Sequence, residues 1–238
     1  MEILKSIIKK YLKKKSLKVT QISDITDLEW SYINKVLPFT MTNEERLVSL
    51  IRSCEYILKN NIQGSFVECG VWKGGSSLLI ADFLSKNNAE DRKLYMYDTF
   101  EGMSAPTEND RQYDGQLAED MLNRGEVICY SSFEEVVNTM KKSSFTNYEM
   151  IKGKVEDTIP QTLPGKIALL RLDTDWYEST KHELIHLFPL VEKGGIVIID
   201  DYGWWEGAKK AVDEYINENN LKIFLSRVDY TCRVAIKL

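Results

Sequence analysis

Three apolar runs that end in glycines or acids limit the possible folds most strongly. Residues 66–77 (FVECGVWKGGSS) pass from an apolar run through an acid into a glycine-rich turn. Residues 169–180 (LLRLDTDWYEST) and 196–203 (IVIIDDYG) are apolar runs that end in acids. In open α/β sheets, ligands bind beyond the carboxyl ends of the strands. The pattern therefore predicts one sheet edge that carries both a binding turn and a group of carboxylates.

From residue 64 onward, strand-like and helix-like segments alternate. Near-continuous apolar strands separated by helices indicate a mostly parallel sheet of an α/β fold with helices on both faces. The predicted strands are 65–69, 93–97, 148–152, 167–172, 196–200, 221–225 and 232–237. The predicted helices are 76–85, 133–142, 178–191 and 206–217. Because only about six residues separate the last two strands, and a parallel crossover needs about a dozen, we expect the last strand to be antiparallel.

Length, charge and cysteine content narrow the class of protein. A chain of 238 residues suits one α/β domain with an added segment. The net charge of −5 gives no overall basic field for nucleic acid. No apolar run reaches the roughly 18 residues of a membrane-spanning helix. The cysteines are widely spaced, which is typical of reduced thiols in a cytoplasmic protein, and they are Cys54, Cys69, Cys129 and Cys232.

The N-terminal part is predicted to be a helical segment, residues 1–63, that precedes the main domain at 64–238. Residues 1–18 carry seven lysines and one acid, and their apolar residues recur at helical spacing. This basic amphipathic helix could lie on a membrane surface, or pack on the protein body or a second subunit. Residues 42–45 (TNEE) resemble a capping box that opens a second helix. Residues 102–120 are polar and aperiodic, which indicates either a mobile lid or a disordered insertion.

The glycine-rich turn predicts a site for a nucleoside-bearing cofactor. Gly70 and Gly74 allow close approach of the backbone to a ligand, and Ser76 opens the next helix. Glu68 ends the first strand, and Asp98 ends the second, where an acid can bind both ribose hydroxyls. The spacing departs from the nicotinamide fingerprint and from the phosphate-binding loop. S-adenosylmethionine fits better, because it has no phosphate and Glu68 can receive its ammonium group.

Acids at the exits of two strands that are consecutive along the chain predict a metal site. Asp173 leaves one strand, and Asp200 and Asp201 leave the next. Three carboxylates within a few ångströms repel one another unless a cation lies among them, and Mg²⁺ prefers such oxygen ligands. Alternatively, some of these acids cap helices or are solvated.

Two short motifs suggest other chemistry. Residues 182–186 (HELIH) match the zinc-protease pattern, but the chain has only two histidines, so no third histidine ligand exists. Residues 177–181 (YESTK) match the tyrosine–lysine pair of short-chain dehydrogenases, yet the nucleotide glycines do not fit. We interpret both matches as coincidental.

Longer stretches identify a family. The chain resembles the macrocin O-methyltransferase (TylF) family, which methylates sugar hydroxyls with S-adenosylmethionine and Mg²⁺. The stretches that carry the resemblance are FVECGVWKGGS, YDTFEGM with APTENDRQYDG, GKVEDTIP, IALLRLDTDWYEST, GGIVIIDDYG with WEGAKKAVDEY, and DYTCRVAIK. They extend from about residue 40 to the end.

The resemblance implies a class I methyltransferase fold, which is Rossmann-like with seven mostly parallel strands, an N-terminal segment that closes over the site, and commonly a homodimer. It also implies roles for individual residues. The cofactor-binding residues are Glu68, Gly70, Gly74 and Ser76 at the methionine end, Asp98 at the ribose, and Val155 and Glu156 beside the adenine. The metal ligands are Asp173, Asp200 and Asp201, and Asp175 is the general base.

The expected acceptor is a small molecule that carries a sugar. Trp204 and Trp205 follow the acidic exit at residues 200–201, where they either stack on a sugar ring or belong to the core. Two rival functions use a similar sheet. A catechol-type methyltransferase has a similar set of metal ligands, and a dehydrogenase binds a nicotinamide.

Overall fold

The computed structural model describes residues 24–127 and 129–238. The basic helix predicted within residues 1–18 lies outside the described residues. Seven strands form one sheet in the order β3-β2-β1-β4-β5-β7-β6. The strands are β1 Ser65–Cys69, β2 Leu94–Asp98, β3 Tyr148–Lys152, β4 Ile167–Leu172, β5 Val191–Ile199, β6 Ser226–Arg227 and β7 Arg233–Ile236.

The first five strands run parallel, and β7 pairs antiparallel with both β5 and β6. This confirms the predicted mostly parallel sheet with an antiparallel last strand. The strand predicted at 221–225 is wrong, because β6 contains only Ser226–Arg227. Leu221, Ile223 and Leu225 do pack against the core beneath the sheet, whereas Phe224 is 81 % exposed. The alternation of buried and exposed residues at 221–225 therefore comes from a half-buried segment that pairs with no strand.

Eight α-helices are described. They are α1 Asp27–Val36, α2 Glu44–Lys59, α3 Gly75–Lys86, α4 Ala118–Asn123, α5 Phe133–Met140, α6 Val155–Thr158, α7 Tyr177–Leu187 and α8 Glu206–Glu218. The helix predicted at 178–191 is too long. It ends at Leu187, a 3₁₀ turn follows at Phe188–Leu190, and β5 already begins at Val191. Pro189 lies in that turn, where its missing N–H cannot continue the helix.

Two helices form the described part of the N-terminal segment. The sequence reading missed α1, whose N-cap Thr26 forms a capping box with Glu29. The capping box predicted at 42–45 is wrong, because α2 begins one residue later. Its N-cap is Asn43, whose side chain accepts a hydrogen bond from the Arg46 amide at 3.0 Å. Apolar residues of both helices belong to the same buried cluster as the face of the sheet that α3 covers.

The strand order places the functional candidates together. β2, β1, β4 and β5 are consecutive in the parallel part of the sheet, so their carboxyl ends meet at one edge. That edge carries the turn after β1, the last residue of β2 and the acids that follow β4 and β5. Among residues 24–127 and 129–238, no helix is both long and apolar enough to cross a bilayer.

Candidate active site

A cavity of about 430 Å³ opens beyond the carboxyl ends of the parallel strands. This volume lies within the range typical of small-molecule sites. All but one of the predicted site residues line it, and these are Glu68, Gly70, Ser76, Asp98, Val155, Glu156, Asp173, Asp175, Asp200 and Asp201. The exception is Gly74, which is the N-cap of α3 with φ +83°. The structure thus brings residues from five chain segments to one wall.

The turn after β1 depends on Gly70 for its shape. Gly70 has φ +83°, and a Cβ atom there would collide with the backbone carbonyl of Asp173. The glycine therefore allows the exit of β1 to pass directly against the exit of β4, so the cofactor turn and the first acid are neighbours. From the sequence, Gly70 was predicted to let a ligand approach the backbone closely. In the structure, the atoms closest to its missing side chain belong to the backbone of Asp173.

Asp98 braces the same turn. Its Oδ2 accepts hydrogen bonds from the amides of Val71 at 2.6 Å and Trp72 at 3.0 Å, and its Oδ1 accepts one from Phe100 at 2.6 Å. The carboxylate lies at the end of β2 on the cavity wall, as predicted. Its role toward a ribose remains a prediction.

Glu68 lies in a buried ion pair that sequence reasoning missed. Its side chain is 1 % exposed, and Oε1 accepts a hydrogen bond from Arg171 Nη1 at 2.7 Å, while the Ser77 hydroxyl donates to Oε2. Burial raises the pKa of Glu68, and the Arg171 charge opposes that rise. The structure therefore gives Glu68 a partner within the protein. The signal was a lone arginine inside the apolar run LLRL, because a buried guanidinium requires acids around it.

The acids after β4 and β5 form a compact group. Oxygens of Asp173, Asp200 and Asp201 all lie within 4.8 Å of one another. Burial raises the pKa of Asp201, and the charges of Asp175 and Asp200 raise it further. Such mutual repulsion and an all-oxygen donor set fit a hard divalent cation. The side chain of Asp173 is 27 % exposed, so this carboxylate is accessible from the cavity.

Asp175 lies beside this group in an unusual backbone conformation. Its φ is +69°, a left-handed value that non-glycine residues rarely adopt and that often marks functional sites. Trp205 Nε1 donates a hydrogen bond to Asp175 Oδ1 at 3.0 Å. Burial raises the pKa of Asp175 to about 7, with a further contribution from the charge of Asp173. The carboxyl group is thus oriented by Trp205, and its pKa lies close to neutral pH.

Two arginines offset part of the negative charge of the group. Arg171 Nη1 donates to Asp173 Oδ2 at 2.7 Å, and its Nη2 donates to Asp200 Oδ1 at 2.8 Å. Arg46, from the first turn of α2, donates to the other oxygen of Asp200. Sequence reasoning missed Arg46 as well, and nothing in the stretch NEERL distinguishes it from a surface arginine.

The two tryptophans after the second acidic exit have different environments. Trp205 is 3 % exposed and packs edge-on against Trp176, with ring centroids 5.0 Å apart. Trp204 is half-buried on the cavity wall, near the rings of Tyr113 at 5.1 Å and Tyr230 at 6.1 Å. Of the two alternatives, core packing therefore applies to Trp205, and Trp204 is the one at the rim.

The segment 102–120 is folded over the same edge, which favours an ordered segment over a disordered insertion. Asp110 is fully buried and accepts a hydrogen bond from the Tyr177 amide at 2.7 Å. The Ser104 carbonyl accepts one from Trp176 Nε1 at 2.9 Å. Gly102, Met103 and Ser104 line the cavity, and α4 begins within the segment at Ala118.

Comparison with known proteins identifies the family. The family model described as macrocin O-methyltransferase (TylF) matches residues 5–236. The chain belongs to the macrocin O-methyltransferase family. It is therefore an O-methyltransferase that depends on S-adenosylmethionine, as its sequence predicts.

Individual members of the family and a solved structure agree. Demethyldecarbamoylnovobiocin O-methyltransferase of Streptomyces niveus is 35 % identical over 183 residues, which cover 74 % of this chain and 67 % of the relative. 8-Demethyl-8-(2,3-dimethoxy-α-L-rhamnosyl)-tetracenomycin-C 4′-O-methyltransferase of Streptomyces olivaceus is 31 % identical, with 81 % and 73 % covered. The structure of the O-methyltransferase NovP has a TM-score of 0.76 and 31 % identity, with 84 % and 82 % covered.

Neither the HELIH motif at 182–186 nor the YESTK motif at 177–181 forms a separate site. His182 Nε2 contacts the Ile159 carbonyl oxygen at 2.7 Å, while Glu183 is buried and accepts a hydrogen bond from Thr174. In the described part of the chain, the only group of three or more acids, histidines or cysteines close enough together to hold a metal ion is Asp173, Asp200 and Asp201. Tyr177 and Lys181 both bond to Glu214 of α8, away from the cavity wall.

Proposed function

We propose that the chain transfers the methyl group of S-adenosylmethionine to a sugar hydroxyl of a natural product or glycan precursor. We further propose that Mg²⁺ binds Asp173, Asp200 and Asp201, and that Asp175 accepts the hydroxyl proton. The observation that carries this proposal is the group of four acids on the wall of the same cavity as the turn after β1. The names of the two relatives support the acceptor class, since one is specified as acting on a rhamnosyl-tetracenomycin.

The cofactor half of the cavity is assigned from the turn and the strand ends. S-adenosylmethionine, when bound, supplies an already activated methyl group, so the protein chiefly has to align the reacting atoms. We assign to its methionine end the residues Glu68, Gly70, Gly74 and Ser76, to its ribose Asp98, and to its adenine Val155 and Glu156. Because Arg171 pairs with Glu68, any contact of Glu68 with the ammonium group would be shared with that arginine.

The acceptor half is assigned from the acids. A bound divalent cation would lower the pKa of a sugar hydroxyl that it contacts. Arg171 fixes one oxygen of Asp173 and one of Asp200, which orients both carboxylates without help from a ligand. Asp175, held by Trp205, can accept a proton near neutral pH. Trp204 at the rim offers an aromatic face to the sugar ring or its aglycone.

A methyl-transfer assay with a set of acceptors tests this function. We expect S-adenosylhomocysteine to form with demethyldecarbamoylnovobiocin or a rhamnosylated polyketide, and not with a simple catechol. Turnover with catechol alone would support the catechol-type alternative instead. A thermal-shift comparison of S-adenosylmethionine with NAD provides the control for the dehydrogenase alternative.

Chelation and one variant test the metal. We expect excess EDTA to abolish turnover and Mg²⁺ to restore it. Asp173→Asn should likewise lose metal-dependent turnover while it keeps its affinity for S-adenosylhomocysteine, measured by calorimetry. Full activity in excess chelator would contradict the metal assignment.

The assembly and location of the protein are also proposals. We propose a homodimer, as the family resemblance implies, and a cytoplasmic location, as the dispersed cysteines suggest. Light scattering coupled to gel filtration checks the first, and a monomer at micromolar concentration would contradict it. Fractionation of the native cells checks the second.

A further inference from the structure

Arg46 reaches from α2 into the wall of the cavity and contacts two acids at once. Its Nη1 donates to Asp200 Oδ2, and its Nε donates to Asp229 Oδ2 at 2.8 Å. The side chain is only 13 % exposed, so solvent screens these contacts weakly. Arg46 therefore attaches the N-terminal segment directly to the acidic exit of β5.

Asp200 differs from the other two proposed metal ligands in its contacts. Both of its oxygens already accept hydrogen bonds from guanidinium groups, Oδ1 from Arg171 and Oδ2 from Arg46. Arg171 is enclosed by its other acidic partners, with 3 % of its side chain exposed. Arg46 is the more accessible of the two. A divalent cation that binds Asp200 must therefore share an oxygen with one of these two guanidinium groups or displace it, and the more exposed Arg46 is the easier one to displace.

Asp229 offers Arg46 a second position that needs no new contact. The amides of Thr231 and Cys232 donate to Asp229 Oδ1 at 2.9 and 2.7 Å, and these bonds fix the carboxylate. Its Oδ2 remains directed at α2, where it accepts from Arg46 and from Asn43 Nδ2 at 2.7 Å. Arg46 can thus leave Asp200 and stay paired.

We propose that Arg46 is a positioning residue that holds Asp200 in the metal-free protein and moves to Asp229 alone when the cation binds. This inference rests on the metal assignment of the proposed function. Two cations a few ångströms apart repel, so Arg46 lowers the affinity of the site for metal. In the metal-free protein, the positive charge of Arg46 offsets the repulsion among the carboxylates. Binding of the cation then loosens one attachment of α2. The residues immediately before α2, Thr40, Met41 and Thr42, form part of the cavity wall.

Manganese binding, followed by electron paramagnetic resonance of free Mn²⁺, tests the inference without an acceptor. The variants are Arg46→Gln and, as a matched control, Arg52→Gln on the same helix, whose partners are Glu29 and Asp24. We expect Arg46→Gln to bind Mn²⁺ about tenfold more tightly, comparable to the removal of one nearby like charge. Arg52→Gln should bind as the parent does.

Hydrogen exchange on the parent protein adds a measurement that needs no variant. We expect Mn²⁺ to speed amide exchange at residues 43–47, because Arg46 releases Asp200, and not at the C-terminal end of α2. Unchanged or slower exchange there would overturn the inference, as would equal or weaker Mn²⁺ affinity in Arg46→Gln. If neither parent nor variant binds Mn²⁺, the metal assignment fails together with this inference. If both bind it equally, this inference alone fails.

Discussion

Asp175 combines the properties that a proton acceptor needs in a carboxylate-rich cavity. It is oriented by the indole N–H of Trp205, its pKa is raised to about 7, and its φ of +69° turns it out of line with the strand that precedes it. Asp173, two residues earlier, instead bonds to Arg171. Two acids separated by one residue therefore have different partners, which supports different roles for them.

Replacing this carboxylate should slow chemistry more than it changes binding. We expect Asp175→Asn to lower kcat by about 10²–10⁴-fold, the usual contribution of a general base. The amide keeps the shape of the side chain and can still accept the Trp205 hydrogen bond. Steady-state kinetics and Mn²⁺ titration of the same protein check this. A kcat equal to that of the parent would remove Asp175 from the mechanism.

Asp98 has two possible functions that a single variant cannot separate, because it braces the turn and is proposed to bind ribose. We expect Asp98→Asn to weaken S-adenosylhomocysteine binding by about 10–100-fold, which corresponds to the loss of charge-assisted hydrogen bonds. Calorimetry with the 2′-deoxy analogue separates the two functions. If Asp98 contacts the ribose, the variant should lose less affinity for that analogue, whereas an equal loss for both ligands indicates bracing alone.

The residues that could be predicted from sequence are those whose position follows from strand ends. Glycines and acids after apolar runs must lie at one sheet edge. Ten of the eleven predicted site residues line the cavity, although Val155 and Glu156 were predicted from the family resemblance alone. Arg46 could not be predicted, because its contacts join positions more than 150 residues apart, Arg46 to Asp200 and Arg46 to Asp229. Arg171 was visible as a charge in a buried strand, but its partners depended on the sheet order.

At the scale of elements, the pattern of apolar residues predicted which strands exist better than it predicted their first and last residues. The prediction placed the start of β5 five residues late, because residues 191–195 (VEKGG) contain charged residues and glycines that resemble a loop. The 221–225 segment shows the opposite error, since half-burial without a partner strand produces the same alternation as a strand. Hydrogen-bond pairing is set by the whole sheet, so a local pattern does not reveal it.

The contact between the N-terminal segment and α3 depends on Gly75. A Cβ atom at this first residue of α3 would lie 2.6 Å from both the Phe39 carbonyl oxygen and the Thr40 Cβ atom. We expect Gly75→Ala to destabilise the protein by about 1–3 kcal/mol, as overpacking typically does. Urea unfolding measures the effect. Gly165→Ala is the matched control, because nothing lies within 4 Å of its added methyl group. Equal stability of both variants would show that residues 39–40 move aside without cost.

At the scale of the whole molecule, the acidic edge places like charges close together, which opposes folding. The parallel strands bring acids from separate segments to one place, and two arginines offset only part of their charge. Sites of this kind are often a source of instability that a ligand relieves. The metal-free protein should therefore gain stability from a change that would impair its activity.

Asp201→Asn tests this trade-off through its dependence on pH. Because burial and the neighbouring acids raise the pKa of Asp201 above its ordinary 3.8 in the folded protein, folding takes up protons, and stability falls as pH rises above about 4 until the folded pKa is passed. In EDTA at pH 8, we expect the variant to be more stable than the parent, because it lacks the ionised carboxylate that burial and the neighbouring acids disfavour. Near pH 4 the two should converge.

Urea unfolding at a series of pH values measures the stability difference at pH 8 and its disappearance near pH 4. Asp91→Asn is the control at an exposed position. Saturating Mg²⁺ should reverse the order, since the parent gains binding free energy that the variant, with one ligand fewer, largely loses. A variant that is less stable than the parent at pH 8 in EDTA would mean that the arginines already compensate the acids fully. The edge would then need no cation for stability.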